Sequence, residues 1–208
     1  MKLAGFFNAC DSLENTAFSV ANHTFPVLFR LLYGCGLRLD EALSLLCEDV
    51  DLENGRILIR NAKNGLDRQL PLSEALTDCL QSYSNAYIKN YNEGRLFFLC
   101  RRRKKITGRT VYNWFRIILY KANISHGGRG KGPRIHDFRH TFSVYSMLEM
   151  SQNGLDMYYS LPLLSEYLGH QSLEATEQYV RLTSAMFPEI IAKANKTYGF
   201  IFPEVELL

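Results

Sequence analysis

The stretch His136-Asp137-Phe138-Arg139-His140-Thr141-Phe142 decides how this chain reads. On a helix at about 100° per residue, His136, Arg139 and His140 fall within an arc of about 100°. Phe138, Phe142, Tyr145 and Leu148 lie on the opposite side. The pattern predicts a helix that packs with one face and presents basic or titratable groups with the other. A start near Asp137 would aim the N-terminal amides at the polar side, a setting suited to a phosphate. The same window also reads as a solvated helix face with one core histidine. His136 and His140 have the spacing of paired zinc ligands. The glutamate base of an HExxH site is absent, however, and Arg139 would put a cation beside the ion, so no metal is expected.

Outward from this window the composition is uneven. Residues 125–134, Ser-His-Gly-Gly-Arg-Gly-Lys-Gly-Pro-Arg, form a loop rich in glycine and basic residues, and Arg101-Arg102-Arg103-Lys104-Lys105 is a basic run. The formal net charge of the 208 residues is only +3. Residues 89–139 nevertheless hold 14 Lys and Arg against Glu93 and Asp137, a net of +12, while the rest carries 10 basic and 19 acidic residues, a net of −9. That split suggests a basic surface facing a polyanion. A solvated charge cluster is the plainer reading of the run 101–105.

The length suits one domain, or two small ones, and 47% hydrophobic with 22% charged residues excludes a disordered chain. Five widely spaced cysteines (Cys10, Cys35, Cys47, Cys79, Cys100), with no CxxC, argue against a disulfide scaffold or zinc knuckle and suit a reducing cytosol. No apolar run approaches the roughly 20 residues needed to span a bilayer, and no signal-peptide cleavage site stands near the start.

Residues 1–22 are weakly patterned and read as a lead-in. Apolar helical patterning predicts helices over Phe25–Tyr33, from about Arg38, over Ser73–Asn90 and over Thr107–Lys121. Residues 50–72 read as a small antiparallel sheet, with a hairpin at Asn54-Gly55, a strand at Ile57-Leu58-Ile59, a second turn at Asn64-Gly65 with Lys63 at its rim, and Pro71 marking an edge. The remainder is helical, with breaks near Gly154, Pro162, Gly169 and Pro188. The expected fold class is mainly α with a small antiparallel β-sheet (α+β).

Two further windows carry chemistry. In Gly36-Leu37-Arg38-Leu39-Asp40-Glu41, an arginine opens an apolar helix with Glu41 three residues on, within reach of an ion pair. In Leu168-Gly169-His170-Gln171-Ser172, Gly169 ends one helix and Ser172 can cap the next, with Thr176 and Tyr179 following. Taken singly, each has a plain reading: a local ion pair, a surface lysine at 63, a packed helical tyrosine at 179.

Taken together and in order, Arg38, Lys63, His136-x-x-Arg139, Leu168-Gly169-His170 and Tyr179 resemble the tyrosine recombinase (phage integrase) family. Gly-Leu-Arg-x-x-Glu stands at 36–41, Lys63 is followed by Arg68 and Pro71-Leu72, and Tyr179 lies nine residues after His170. Segments such as Leu-Leu-Tyr-Gly-Cys-Gly-Leu-Arg look like integrases of bacterial mobile elements.

The resemblance covers about residues 24–190 and implies the tyrosine recombinase catalytic-domain fold. It also implies a site-specific recombinase that needs no cofactor and cuts double-stranded DNA through a 3′-phosphotyrosine. Tyr179 is then the nucleophile. Arg38, Arg139 and His170 hold the scissile phosphate, Lys63 is the general acid and His136 receives the tyrosine proton. Glu41 orients Arg38, and His140 buttresses the site. Arg101, Arg102, Arg103, Lys104, Lys105, Arg129, Lys131 and Arg134 fit the DNA backbone. Tyr158, Tyr159 and Tyr167 have the wrong offset from Leu-Gly-His to replace Tyr179.

By the same resemblance residues 23–197 are the catalytic domain and 198–208 a tail that docks on a neighbouring protomer or folds back. The N-terminal core-binding domain of the family is missing from the pattern, which leaves an excised domain or a naturally short member. Self-association on DNA, dimer to tetramer, no membrane, and a bacterial cytoplasmic, nucleoid-bound location complete the expectation. A type IB topoisomerase-like relaxing enzyme and a catalytically idle DNA-binding module are the alternatives.

Overall fold

The computed structural model describes residues 3–14, 20–60, 67–88, 94–100, 104–128 and 131–169, the side chains of 157 and 158 excepted. The chain divides into two compact units, Met1–Phe142 with Tyr167–Gly169, and Ser143–Glu166 with His170–Leu208.

The first unit is built on aromatic packing. Helix α1 (Leu3–Asp11) buries Phe6, Ala9 and Cys10, which sit at i, i+3 and i+4 on one face. The Phe6 ring meets Phe29 and Phe138 at 5.3 Å and Phe115 at 5.4 Å. Part of the segment expected as a lead-in therefore belongs to the core. Nine residues are too few for the period to stand out in the sequence, which is why the helix was not legible. Helix α2 (Ala21–Gly34) begins four residues before the expected Phe25 and runs through Pro26. The amides of His23 and Thr24 bond to the Val20 carbonyl, so the first turn forms upstream of the proline.

Helix α3 (Leu39–Ser44) is shorter than its apolar pattern suggests. Leu45 turns extended, its carbonyl accepts from the Phe97 amide, and Leu46 bridges to Leu96. A 3-10 turn at Cys47–Asp49 leads into the sheet. Its strands β1 (Val50–Asp51), β2 (Arg56–Ile59) and β3 (Arg68–Pro71) are antiparallel in that order. Pro71 lies on edge strand β3, as expected for a residue without an amide proton. Gly55 closes the β1–β2 turn at φ +60°, and Asp51 accepts from the Asn54 amide at 3.0 Å. Ile57 and Ile59 face the core and pair with Leu70 and Arg68. The second turn, at Asn64-Gly65, lies outside the described residues.

Helices α4 (Glu74–Tyr87) and α5 (Gly108–Lys121) start one residue after Ser73 and Thr107, whose hydroxyls accept from the amides of Leu76 and Thr110. Helix α2 packs on α4, and α1 packs on both α2 and α5. Helix α6 (Asp137–Gln152) begins where the first window places it.

In the second unit, residues 143–166 bury Val144, Met147 and Leu164. Gly154, at φ +83°, ends the α6 path. The break expected near Pro162 is absent: α7 (Met157–Leu168) runs through it. Proline already has helical φ, so here it costs the helix one hydrogen bond and crowds the carbonyl four residues back without ending it, as Pro26 does in α2. Pro188 and the tail 198–208 lie outside the described residues.

Candidate active site

Every described group at the site belongs to the first unit. Arg38 is the residue before α3. Its amide donates to Glu41 Oε2 at 2.9 Å, its Nη1 to Glu41 Oε1 at 3.0 Å, and its Nη2 to the Gly169 carbonyl at 3.1 Å. Glu41 is therefore the expected partner of Arg38, but it has a second one. Arg68 lays its guanidinium against the same carboxylate, Nη1 to Oε1 at 3.0 Å and Nη2 to Oε2 at 2.9 Å. Burial alone would raise the Glu41 pKa; the hydrogen bonds from Arg68 and from the Arg38 amide outweigh it and hold the carboxyl below its ordinary value.

Arg139 departs from the expectation that it stands on an open polar face. It is 1% exposed, and donates through Nη1 to the Gly36 carbonyl at 2.8 Å and through Nη2 to the Leu168 carbonyl at 2.7 Å. Arg68 Nε donates to the Tyr167 carbonyl at 3.0 Å. Three consecutive carbonyls, at 167, 168 and 169, thus accept from Arg68, Arg139 and Arg38 in turn. The last carbonyls of a helix have no intrahelical partner and sit at the negative end of its dipole, so cations are stabilising there. A buried arginine needs such acceptors, because an uncompensated charge in the interior costs several kcal/mol.

Two glycines make the approach feasible. Gly36 adopts φ +59°, and a Cβ there would come within 2.5 Å of Phe142 Cδ1. Gly169 adopts φ +65°, and a Cβ would lie 3.0 Å from Arg68 Nη1. Neither position tolerates an L side chain without strain.

His136 precedes α6 and keeps part of its surface in solvent, its ring edge-on to His140 at 4.7 Å. Desolvation, then the neighbouring His140, Arg139 and Arg134, lower its pKa to about 4, so it stays neutral at pH 7. His140 is shifted in the same direction, chiefly by burial. The first α6 amides are not open to an anion as expected. Asp137, Phe138 and Arg139 donate to the carbonyls of Arg134, Ile135 and His136, and His140 to His136 as well, because a tight turn feeds the helix.

The basic residues are spread over several elements. Lys104 and Lys131 are exposed, and Lys105 Nζ donates to Ser44 Oγ at 3.1 Å. Arg134, its side chain 68% exposed, pairs with Asp137 at 3.2 Å. Beside Arg38 opens a cleft of about 570 Å³, lined also by Asp40, Ser44, Asp49 and Arg60. Lys63, Arg101, Arg102, Arg103, Arg129, His170 and Tyr179 lie outside the described residues. Burial pushes the Tyr167 phenol well above its ordinary pKa, which makes it a poor nucleophile. Among the described residues no group of three or more His, Cys, Asp or Glu could hold a metal ion.

Residues 5–186 match the family model described as the phage integrase family. The chain belongs to the phage integrase family. It is 31% identical over 170 residues to tyrosine recombinase XerA of Pyrococcus furiosus, across 79% of this chain and 52% of that protein. A putative integrase/recombinase of Sinorhizobium fredii, y4rE, is 29% identical over 181 residues, 86% of this chain and 57% of its own. The chain spans about half the length of the curated relatives it matches. Among solved structures, a XerA recombinase superposes with a TM-score of 0.66 at 23% identity, over 97% of this chain and 62% of that one. The catalytic domain of bacteriophage HP1 integrase gives 0.56 at 24%, over 91% and 92%. XerH site-specific recombinase, bound to its difH substrate before cleavage, gives 0.66 at 25%, over 89% and 50%. The mainly helical fold with one three-stranded sheet is thus that of integrase catalytic domains.

Arg68 is the site residue that sequence reasoning passed over. It stood in the motif only as a neighbour of Lys63. The available signal was strand alternation: Arg68 and Leu70 are two apart, so an arginine shares the core-facing side of β3 and requires a buried acid.

Proposed function

We propose that this chain is the catalytic part of a site-specific recombinase that cuts and rejoins double-stranded DNA through a 3′-phosphotyrosine. The observation that carries this reading is the convergence of Arg38, held by Glu41, and Arg139 on the carbonyls of 168 and 169, in the segment that leads directly to His170, in a chain of the phage integrase family.

Tyr179 attacks a backbone phosphorus through its phenolic oxygen. The P–O5′ bond breaks, the P–O(Tyr) bond forms, and Lys63 supplies the proton that the leaving 5′-oxygen takes up. The transition state concentrates negative charge on the non-bridging oxygens. Arg38, which lines the cleft, and Arg139 supply permanent positive charge there, and His170 adds a hydrogen bond. His136, neutral at pH 7, has a lone pair for the tyrosine proton, which is needed because a phenol of pKa near 10 is a weak nucleophile. The 5′-hydroxyl of another strand reverses the steps, so the phosphoester energy is conserved.

The XerH and XerA likenesses support double-stranded DNA as substrate, and assembly of two to four protomers on it supplies the second strand. Lys104, Lys105, Lys131 and Arg134, with Arg101, Arg102, Arg103 and Arg129, track phosphates. His140 packs against His136 and holds its ring. No helix among the described residues is long and apolar enough to cross a membrane; a bacterial cytoplasmic protein, on the nucleoid when bound, fits that. Residues 23–197 form the catalytic domain, with 198–208 as a C-terminal tail.

The test is a nicked duplex drawn from the DNA flanking the coding sequence. The chain should yield an SDS-resistant protein–DNA adduct, and Tyr179→Phe should yield none. Adduct from Tyr179→Phe would remove the assignment.

A further inference from the structure

Arg68 takes no part in the chemistry above, yet its guanidinium is fully engaged at the site. All three of its nitrogens donate: two to Glu41 and one to the Tyr167 carbonyl. Its guanidinium also lies against the Gly169 backbone, so close that a Cβ there would meet Nη1 at 3.0 Å.

The geometry says what this engagement does. A Glu41–Arg38 ion pair alone, three residues apart, is a weak constraint. Glu41 would then be held from one side only, by the Arg38 amide and Nη1, and the plane of its carboxylate would be less firmly set. Arg68 removes that latitude. A fork-on-fork pair fixes the plane of the carboxylate as well as its position. With the Arg38 amide and Nη1 also donating, Glu41 accepts four hydrogen bonds, the full capacity of a carboxylate. Arg38 is then aimed by an acid that cannot turn away.

The other end of Arg68 holds the carbonyl at 167. That carbonyl begins the run in which Arg139 and Arg38 hold 168 and 169. One side chain of β3 thereby ties α3, through Glu41, to the backbone that leads to His170. Sequence distance makes the link informative: Arg68 is 27 residues from Glu41 and 99 from Tyr167.

We infer that Arg68 is a positioning residue for phosphate cleavage, which sets the direction of Arg38 through Glu41 and fixes the backbone leading to His170 through the Tyr167 carbonyl. This rests on the recombinase reading of Arg38 and His170. Arg68 itself touches neither the phosphate nor the nucleophile. Lysine is a poor substitute, since a single ammonium cannot present a planar fork to Glu41 and a third, divergent donor to the carbonyl.

The experiment compares wild type, Arg68→Lys and Arg68→Ala on the nicked duplex. Single-turnover adduct formation, duplex affinity and thermal unfolding are measured for each. The expected result is a rate loss on the order of 10²-fold for Arg68→Ala, the scale of a small misplacement of a reacting group. Arg68→Lys falls between, duplex affinity stays close to wild type in both, and added methylguanidinium restores part of the Arg68→Ala rate. Lysine keeps a cation beside Glu41, so that variant reports even if alanine unfolds the chain. Wild-type rates in both variants would overturn the inference. So would affinity falling in step with rate, which would make Arg68 a DNA contact, or a rate loss fully explained by the unfolded fraction. Absence of adduct from wild type would remove the recombinase reading and this one with it, whereas wild-type adduct with insensitive Arg68 variants removes this one alone.

Discussion

His136 and Glu41 are shifted by opposite kinds of environment, and the shifts set how the fold answers to acid. His136 is disfavoured as a cation, so its pKa falls from the ordinary 6.5 to about 4. The unfolded chain takes up that proton below about pH 6.5 and the folded chain does not, so stability is lost as pH falls from there towards 4. Glu41 is also depressed, as a carboxylate held by cations. Its contribution is present above the ordinary carboxylate pKa and is lost only at lower pH, as the fold is driven through its own value. The melting temperature should therefore drop between pH 7 and pH 5, and His136→Gln should flatten that drop while leaving the fall below pH 4 in place. An unchanged slope in His136→Gln would place the titrating group elsewhere. Backbone geometry gives a second expectation at this scale. Gly36→Ala forces a left-handed residue and a Cβ into the Phe142 ring, so it should cost more than the roughly 1–2 kcal/mol of the left-handed conformation alone, read by urea denaturation. A stability equal to wild type would mean that the 36–142 contact is not part of the fold in solution.

At the scale of elements, α1 is the test of how far the core extends. Phe6 is fully buried among Phe29, Phe115 and Phe138, and Phe6→Ala should destabilise by about 3–5 kcal/mol in a denaturant titration. A cost below about 1 kcal/mol would return this helix to the status of a loose lead-in. Its absence from the sequence reading contrasts with α4 and α5, where Ser73 and Thr107 announce the starts and fourteen residues give the period room to show. The Asn54-Gly55 hairpin and the Pro71 edge were legible because turn chemistry is local. Pro162 misled because a helix can run through a proline, at the cost of a hydrogen bond and a crowded carbonyl, as α2 also does at Pro26. Arg139 misled for a different reason. Helical spacing places a residue on a face, but only tertiary structure decides whether carbonyls from distant residues, here Gly36 and Leu168, cover that face. Arg68 was hidden by the same limit, since its acid comes from α3 and its carbonyl from the far end of the chain. The identities of Arg38, Glu41, His136 and His140 were legible as a motif; the carbonyl run that binds the arginines together was not.

For the whole molecule, the segregation of charge and the order of the motifs lead to one chemistry. A net of +12 over residues 89–139, set against −9 elsewhere, is the charge pattern expected of a chain that faces a polyanion. In the recombinase proposal, membership of the phage integrase family supplies the reaction, and the arginines around the 167–169 carbonyls supply its place. The measurement that tests this most directly is the site of covalent attachment. The adduct formed on a nicked duplex is digested with protease and nuclease, and the nucleotide-bearing peptide is sequenced by mass spectrometry. The account predicts a single 3′-phosphate linked to the oxygen of Tyr179. A linkage to Tyr158, Tyr159 or Tyr167, or to a 5′-phosphate, would contradict it.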